Sequence, residues 1–172
     1  MHCVRSKHIA FYGSFPMATD ASATTMSYDP DNIFARILRG ELPAHKVYED
    51  DAVLAILDVL PQADGHTLVL TKTAATSLFD LPDDVAAMVL PVTRRLARAV
   101  QSAFDADGIR LMQLNGAAAG QTIFHFHLHI IPCYEGRALR RHGREPADAA
   151  VLADHAKRIR SALSQQGLTP SD

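Results

Sequence analysis

Long apolar runs are missing from this chain. No stretch reaches the ~18 consecutive apolar residues that a bilayer-spanning helix requires, so a soluble protein is expected. A basic surplus is missing too. Seventeen Lys and Arg stand against nineteen Asp and Glu, a net charge of −2, and without a positive field nucleic acid is not the expected partner. Cysteine is scarce: Cys3 and Cys133 lie far apart with no C-x-x-C spacing. That excludes a disulfide framework and a zinc-knuckle pattern, and it fits a reducing, cytoplasmic compartment. Residues 2–16 carry Arg5 and Lys7 ahead of an apolar patch from His8 to Pro16, but Gly13 interrupts it and it is too short and polar for a signal peptide.

What remains is ordinary globular composition. At 172 residues, with 48% hydrophobic and 21% charged residues, the chain has the length for one domain with its own core. Residues 1–27 end in the small-polar stretch Met17 to Met26, which offers no periodic apolar face and reads as a mobile arm; Met17 and Met26 are both candidate translation starts. Beyond it, Asp31 is a candidate cap for a helix over Asn32–Arg39, in which Ile33, Phe34, Ile37 and Leu38 recur at helical spacing before Gly40. Three short strands are predicted over Lys46–Glu49, Ala52–Leu57 and Thr67–Thr71. Val85, Met88, Val89, Val92, Leu96 and Val100 form the stripe of a long helix started by Asp80 and Pro82, with Pro91 as the point where it should kink. Strands over Ile109–Leu114 and Phe124–Ile131 flank a glycine-bearing loop at 115–121. Residues 136–172 comprise a basic segment with Arg137, Arg140, Arg141 and Arg144, read as a solvated surface, and an amphipathic helix carrying Leu152, Ala156, Ile159 and Leu163. Strands grouped around a few helices predict an α+β domain.

The chemistry concentrates in Gly120-Gln-Thr-Ile-Phe-His125-Phe-His127-Leu-His129-Ile-Ile-Pro132. On a strand, residues i, i+2 and i+4 share a face, so His125, His127 and His129 line one side while Phe126, Leu128 and Ile130 enter the core. A purely structural row explains a lone histidine better than three in register. A metal site is a second reading, because H-x-H spacing chelates zinc once a third ligand arrives from elsewhere, although no carboxylate or second thiol adjoins the row in sequence. The third reading is nucleophilic catalysis, in which one imidazole attacks while its neighbours orient it and move protons near neutral pH. It needs no metal or cofactor.

His125-Phe-His127-Leu-His129-Ile-Ile resembles, at every position, the His-φ-His-φ-His-φ-φ signature of the histidine triad superfamily. The resemblance extends over about residues 30–135, through Asp31 to Pro43, Val47-Tyr-Glu-Asp-Asp, Leu57-Asp58 with Pro61-Gln62, and His66-Thr-Leu-Val-Leu, all similar to the Hint branch. It implies a domain over 28–135 with a five-stranded antiparallel sheet, extended across a homodimer, that binds purine nucleotides and hydrolyses or transfers a nucleoside monophosphate. Phosphoramidates or related conjugates are the implied substrates; dinucleoside polyphosphates, or nucleotide binding by a regulatory module with incidental turnover, are the alternatives. By the motif, His127 is the nucleophile, and His125, His129 and His66 complete its hydrogen-bond and proton network. Gln121 and Thr122 contact the phosphate or leaving group, Asn115 lies nearby, and Asp58 holds the ribose. Ile33, Phe34 and Ile37 wall the base, although an ordinary helix core would use the same three residues. The chain departs from the pattern at Thr71-Lys72-Thr73-Ala74, where many relatives carry Pro-Lys-x-His, and at Thr122, where the Hint branch usually has serine. Gly120-Gln-Thr with His129-Ile-Ile-Pro resembles the Fhit branch, and tryptophan, present in the carboxyl tail of some Hint enzymes, is absent.

Overall fold

A computed structural model describes residues 27–141, 143 and 146–167. The expected arm therefore lies, except for Ser27, outside the described residues, as do Cys3 and Arg144. The first helix, α1 (Ile33–Leu38), is capped by Asn32, whose Oδ1 accepts from the Phe34 and Ala35 amides at 3.0 Å each. The expected cap, Asp31, sits one residue too early and instead lies 3.4 Å from the Arg39 guanidinium. Strands β1 (Lys46–Glu49) and β2 (Val53–Leu57) form a hairpin closed by Asp50, whose Oδ1 accepts from the Ala52 and Val53 amides. Then come β3 (Thr67–Thr71), α2 (Asp83–Phe104), β4 (Gly108–Met112), a short 3-10 turn at Ala117–Ala119, β5 (His127–Cys133) and α3 (Ala149–Gln165).

The sheet order is β1-β2-β3-β5-β4 with every neighbouring pair antiparallel. Its two faces do different jobs. Val53, Ala55, Leu57, Val69 and Ile130 meet Val85, Val89, Leu96 and Val100 of α2 and Leu152, Ala156, Ile159 and Leu163 of α3 in the main core. On the opposite face Leu54, Ile56, Leu68 and Leu70 pack against Phe34 and Ile37 of α1. His129 is register partner to Leu68, and His127 to Leu70. Strand alternation thus puts both histidines on the α1 side, away from the two long helices.

Several boundaries differ from the expected ones for local reasons. Asp80 does not start α2: its carboxylate takes the Thr76 and Ser77 amides and hydroxyls, leaving Pro82 as the cap without a side-chain bond. The helix continues through Pro91 to Phe104, where Asp105, at φ 52°, closes it. Strand β4 ends at Met112 because Gln113 turns its amide onto the Leu114 carbonyl and Asn115. Strand β5 starts at His127, not Phe124. Upstream, the Phe126 amide bonds the Ala75 carbonyl at 2.7 Å, and the chain leaves the ladder.

Candidate active site

Four buried histidines converge where β3, β5 and the loop before β3 meet: His66, His125, His127 and His129 are each 9% exposed or less. His127 and His129 follow from strand periodicity, with ring centroids 4.9 Å apart. His66 arrives from β3's leading turn, its ring 5.1 Å from that of His129. The Phe34 and His127 ring centroids lie 4.9 Å apart at 67°, so α1 forms the apolar wall beside the row.

Backbone carbonyls and amides assign the ring protons, since a carbonyl only accepts and an amide N–H only donates. His127 Nδ1 donates to the His125 carbonyl at 2.6 Å, which puts the lone pair of a neutral ring on Nε2. His125 Nε2 donates to the Thr71 carbonyl at 2.8 Å, and its Nδ1 accepts from the Tyr28 hydroxyl at 2.7 Å. Burial pushes the His125 pKa below its ordinary value; the bond to Thr71 opposes this and the neighbouring His127 adds to it. On the other side, the Gln62 amide donates to His66 Nδ1 at 3.1 Å, so His66 Nε2 carries the proton and donates to His129 Nδ1 at 2.9 Å. The proton of a neutral His129 is thereby on Nε2. In their neutral forms these imidazoles have tautomers that are each set by a named partner.

The remaining expected residues are distributed unevenly. Asp58 is buried beside His66, its Oδ2 3.4 Å from Nδ1 and its Oδ1 accepting from the Leu60 amide at 2.8 Å. Thr122 is exposed at the mouth of the loop, as is Ile33 on α1, whereas Phe34 and Ile37 are buried. Gln121 is held by three backbone groups. Its Nε2 donates to the Thr76 carbonyl at 2.6 Å and the Ile123 carbonyl at 3.1 Å, and its Oε1 accepts from the Gly116 amide at 2.8 Å. Asn115 likewise bonds Gln113 and the Leu78 amide. Both amides clip the 115–121 loop to the 76–78 segment. Sequence reasoning missed Tyr28 and Thr71, whose contacts to His125 belong to no periodic pattern, and it gave no role to the Gln62 amide.

Asp58, His66 and His129 each bring a ligand-capable atom within 4.8 Å of the others, so folding supplies the carboxylate that the sequence lacks beside the row. All three are residue types that ligate zinc, and a bound ion would require the two imidazoles to separate slightly. His66 Nε2 and His129 Nδ1 are 2.9 Å apart, the length of a hydrogen bond, whereas two nitrogens ~2.0–2.1 Å from a tetrahedral zinc are separated by roughly 3.3 Å.

An antiparallel sheet presenting a tautomer-locked histidine row on one face defines a histidine-triad protein. The HIT domain family matches residues 39–136, more than half of the chain, and the chain belongs to the HIT family. It is 35% identical over 156 residues to adenylylsulfatase HINT3 of Arabidopsis thaliana, covering 87% of this chain and 79% of that protein. Among solved structures, a Hit-like protein involved in cell-cycle regulation from Bartonella henselae is 44% identical with a TM-score of 0.75, over 80% of this chain and 100% of that one. A hypothetical histidine triad nucleotide-binding protein from Sulfolobus tokodaii is 34% identical with a TM-score of 0.70, over 77% of this chain and 91% of that one.

Proposed function

We propose that the protein binds purine nucleotides and cleaves nucleoside phosphoramidates or related nucleotide conjugates to the nucleoside 5′-monophosphate, through a nucleotidyl group carried on His127. The observation that supports this most directly is the 2.6 Å bond from His127 Nδ1 to the His125 carbonyl. It orients the ring and stabilises the positive charge that grows on the imidazole as Nε2 attacks. In the first step Nε2 forms a bond to the α-phosphorus, and the bond from phosphorus to the leaving group breaks. A departing amine takes a proton that solvent supplies, and His129 Nε2–H, backed by His66, is the donor that hydrogen-bonds the leaving group in this reading. Water then adds to phosphorus, its proton passes to the imidazole network, and the P–N bond to His127 breaks.

Thr122, exposed at the loop mouth, is the side chain proposed to meet the phosphate or leaving group, while Gln121 and Asn115 act through the loop they hold. Asp58 takes the ribose hydroxyls, and Ile33 and Phe34 wall the base with Ile37 behind them. A homodimer is part of the same reading, supported by edge strand β4 with Leu111 46% exposed. So is a cytoplasmic location, supported by the free thiol of Cys133. Among the described residues no helix is long and apolar enough to cross a membrane.

The test is turnover of an adenosine 5′-phosphoramidate with rapid quenching and mass spectrometry under conditions that spare an acid-labile P–N bond. His127→Gly should abolish both turnover and adduct, whereas His125→Ala and His129→Ala should slow turnover ~10²- to 10⁴-fold and leave adduct to trap. An adduct on His125 or His129 overturns the assignment. Faster cleavage of a dinucleoside polyphosphate favours that substrate class, and binding without turnover favours a regulatory module.

A further inference from the structure

His125 lies outside the strand that carries the rest of the row. The β3–β5 ladder begins at the Leu70–His127 pair, so no ladder bond restrains residue 125. Its place is set instead by its ring and by the following peptide. The ring is anchored at both nitrogens, to the Thr71 carbonyl at 2.8 Å and to the Tyr28 hydroxyl at 2.7 Å. The peptide that follows donates its N–H to the Ala75 carbonyl at 2.7 Å and offers its C=O to His127 Nδ1 at 2.6 Å. That peptide unit is the support on which the attacking imidazole rests.

We propose that Tyr28 is a positioning residue for the reaction, its hydroxyl holding the His125 ring and, through the His125 carbonyl, the orientation of His127. The proposal rests on the reading of His127 as the nucleophile. Because Nε2–H is committed to a carbonyl, Nδ1 of the neutral ring is an acceptor and needs a donor. At 1% exposure the residue is closed to bulk water. Tyr28 supplies that donor from the segment just ahead of α1. This segment is held by the turn in which the Asn32 side-chain amide donates to the Asp29 carbonyl at 2.6 Å and the Asp31 amide to Asp29 Oδ1 at 2.9 Å. The two rings meet at 5.7 Å and 58°, so packing and hydrogen bond act together. Thr71 and Ala75 contribute through their backbones. Tyr28 is therefore the tether that a substitution removes without disturbing the main chain.

The experiment is Tyr28→Phe in the full chain, which keeps the ring and deletes the donor. Steady-state kinetics on the adenosine phosphoramidate should show kcat reduced about 10- to 100-fold with KM within about twofold, the pattern of a misdirected nucleophile and not of lost substrate binding. In parallel, ¹⁵N-labelled protein should show the His125 Nδ1 resonance moving away from its hydrogen-bonded position and the His127 Nδ1–H resonance shifting with it. Unchanged kcat, or a kcat loss matched by a rise in KM, overturns the proposal. So does a His125 or His127 resonance that stays in place. If the wild-type protein turns over none of the nucleotide substrates, the proposed function fails by itself. The link from Tyr28 to His127 is then decided by the two resonances alone.

Discussion

Replacing Gln121 by alanine separates a loop clip from a substrate contact. Gln121 is 4% exposed, and its amide satisfies three backbone groups, the Thr76 and Ile123 carbonyls and the Gly116 amide. Each such bond contributes ~0.5–1.5 kcal/mol net, and a buried partner left unsatisfied costs ~1–3 kcal/mol; partial access of water to the loop places the total near 2–4 kcal/mol. In a chain of this length ~1 kcal/mol corresponds to ~2–4 °C in Tm, so thermal unfolding should register a fall of about 4–16 °C, with a matching shift in urea. Gln121→Glu keeps the acceptor for Gly116 but turns an oxygen toward two carbonyls. It should destabilise at least as much at neutral pH and recover partly as the pH falls and the carboxyl takes up a proton. Thr122→Ala, one residue on and exposed, should change stability by less than ~0.5 kcal/mol while lowering turnover. If Gln121→Ala unfolds like the wild type and only raises KM, the clip is wrong and the side chain belongs to the substrate.

Three further outcomes follow from the packing. Gly65, at φ +80°, has no room for a side chain: an added Cβ would lie 2.3 Å from the Phe104 ring. Gly65→Ala should therefore destabilise by about 2–4 kcal/mol, from backbone strain plus overpacking, with partial recovery on adding Phe104→Leu in a double-mutant cycle. His125 and His155 are both held below their ordinary pKa chiefly by burial. The unfolded chain then binds protons first, so stability is full above pH ~6.5 and falls as the pH drops through and below that value. His155→Leu should flatten that slope in urea titrations, and an unchanged slope would refute its share. Removing residues 1–25 should leave folding and kcat nearly unchanged, because the segment offers no periodic apolar face; a truncated chain that fails to fold would place it within the core.

Much of the architecture was legible in one dimension because it rests on periodicity. The period-2 run from Phe126 to Ile131 sorts histidines from apolar residues, and the buried Leu152, Ala156, Ile159 and Leu163 are the four that the helical spacing of α3 selects. The family signature, too, is a local pattern. What the sequence could not decide is which polar atom meets which across long separations in the chain. Asp31 and Asn32 are both competent caps, and only the backbone angle at residue 32 chooses between them. Asp80 reads as a helix start until Thr76 and Ser77 turn back onto it. Gln121 and Asn115 sit in a loop beside the motif, and folding brings Thr76 and Leu78 to within hydrogen-bond reach of them, a pairing that no local pattern announces. Tyr28 and His125 are separated by 97 positions, and His66 and His129 by 63. Hydrophobic burial tolerates any partner of suitable shape, so its pattern can be read from spacing alone. A hydrogen bond requires one donor aimed at one acceptor, and that pairing exists only after the sheet has closed.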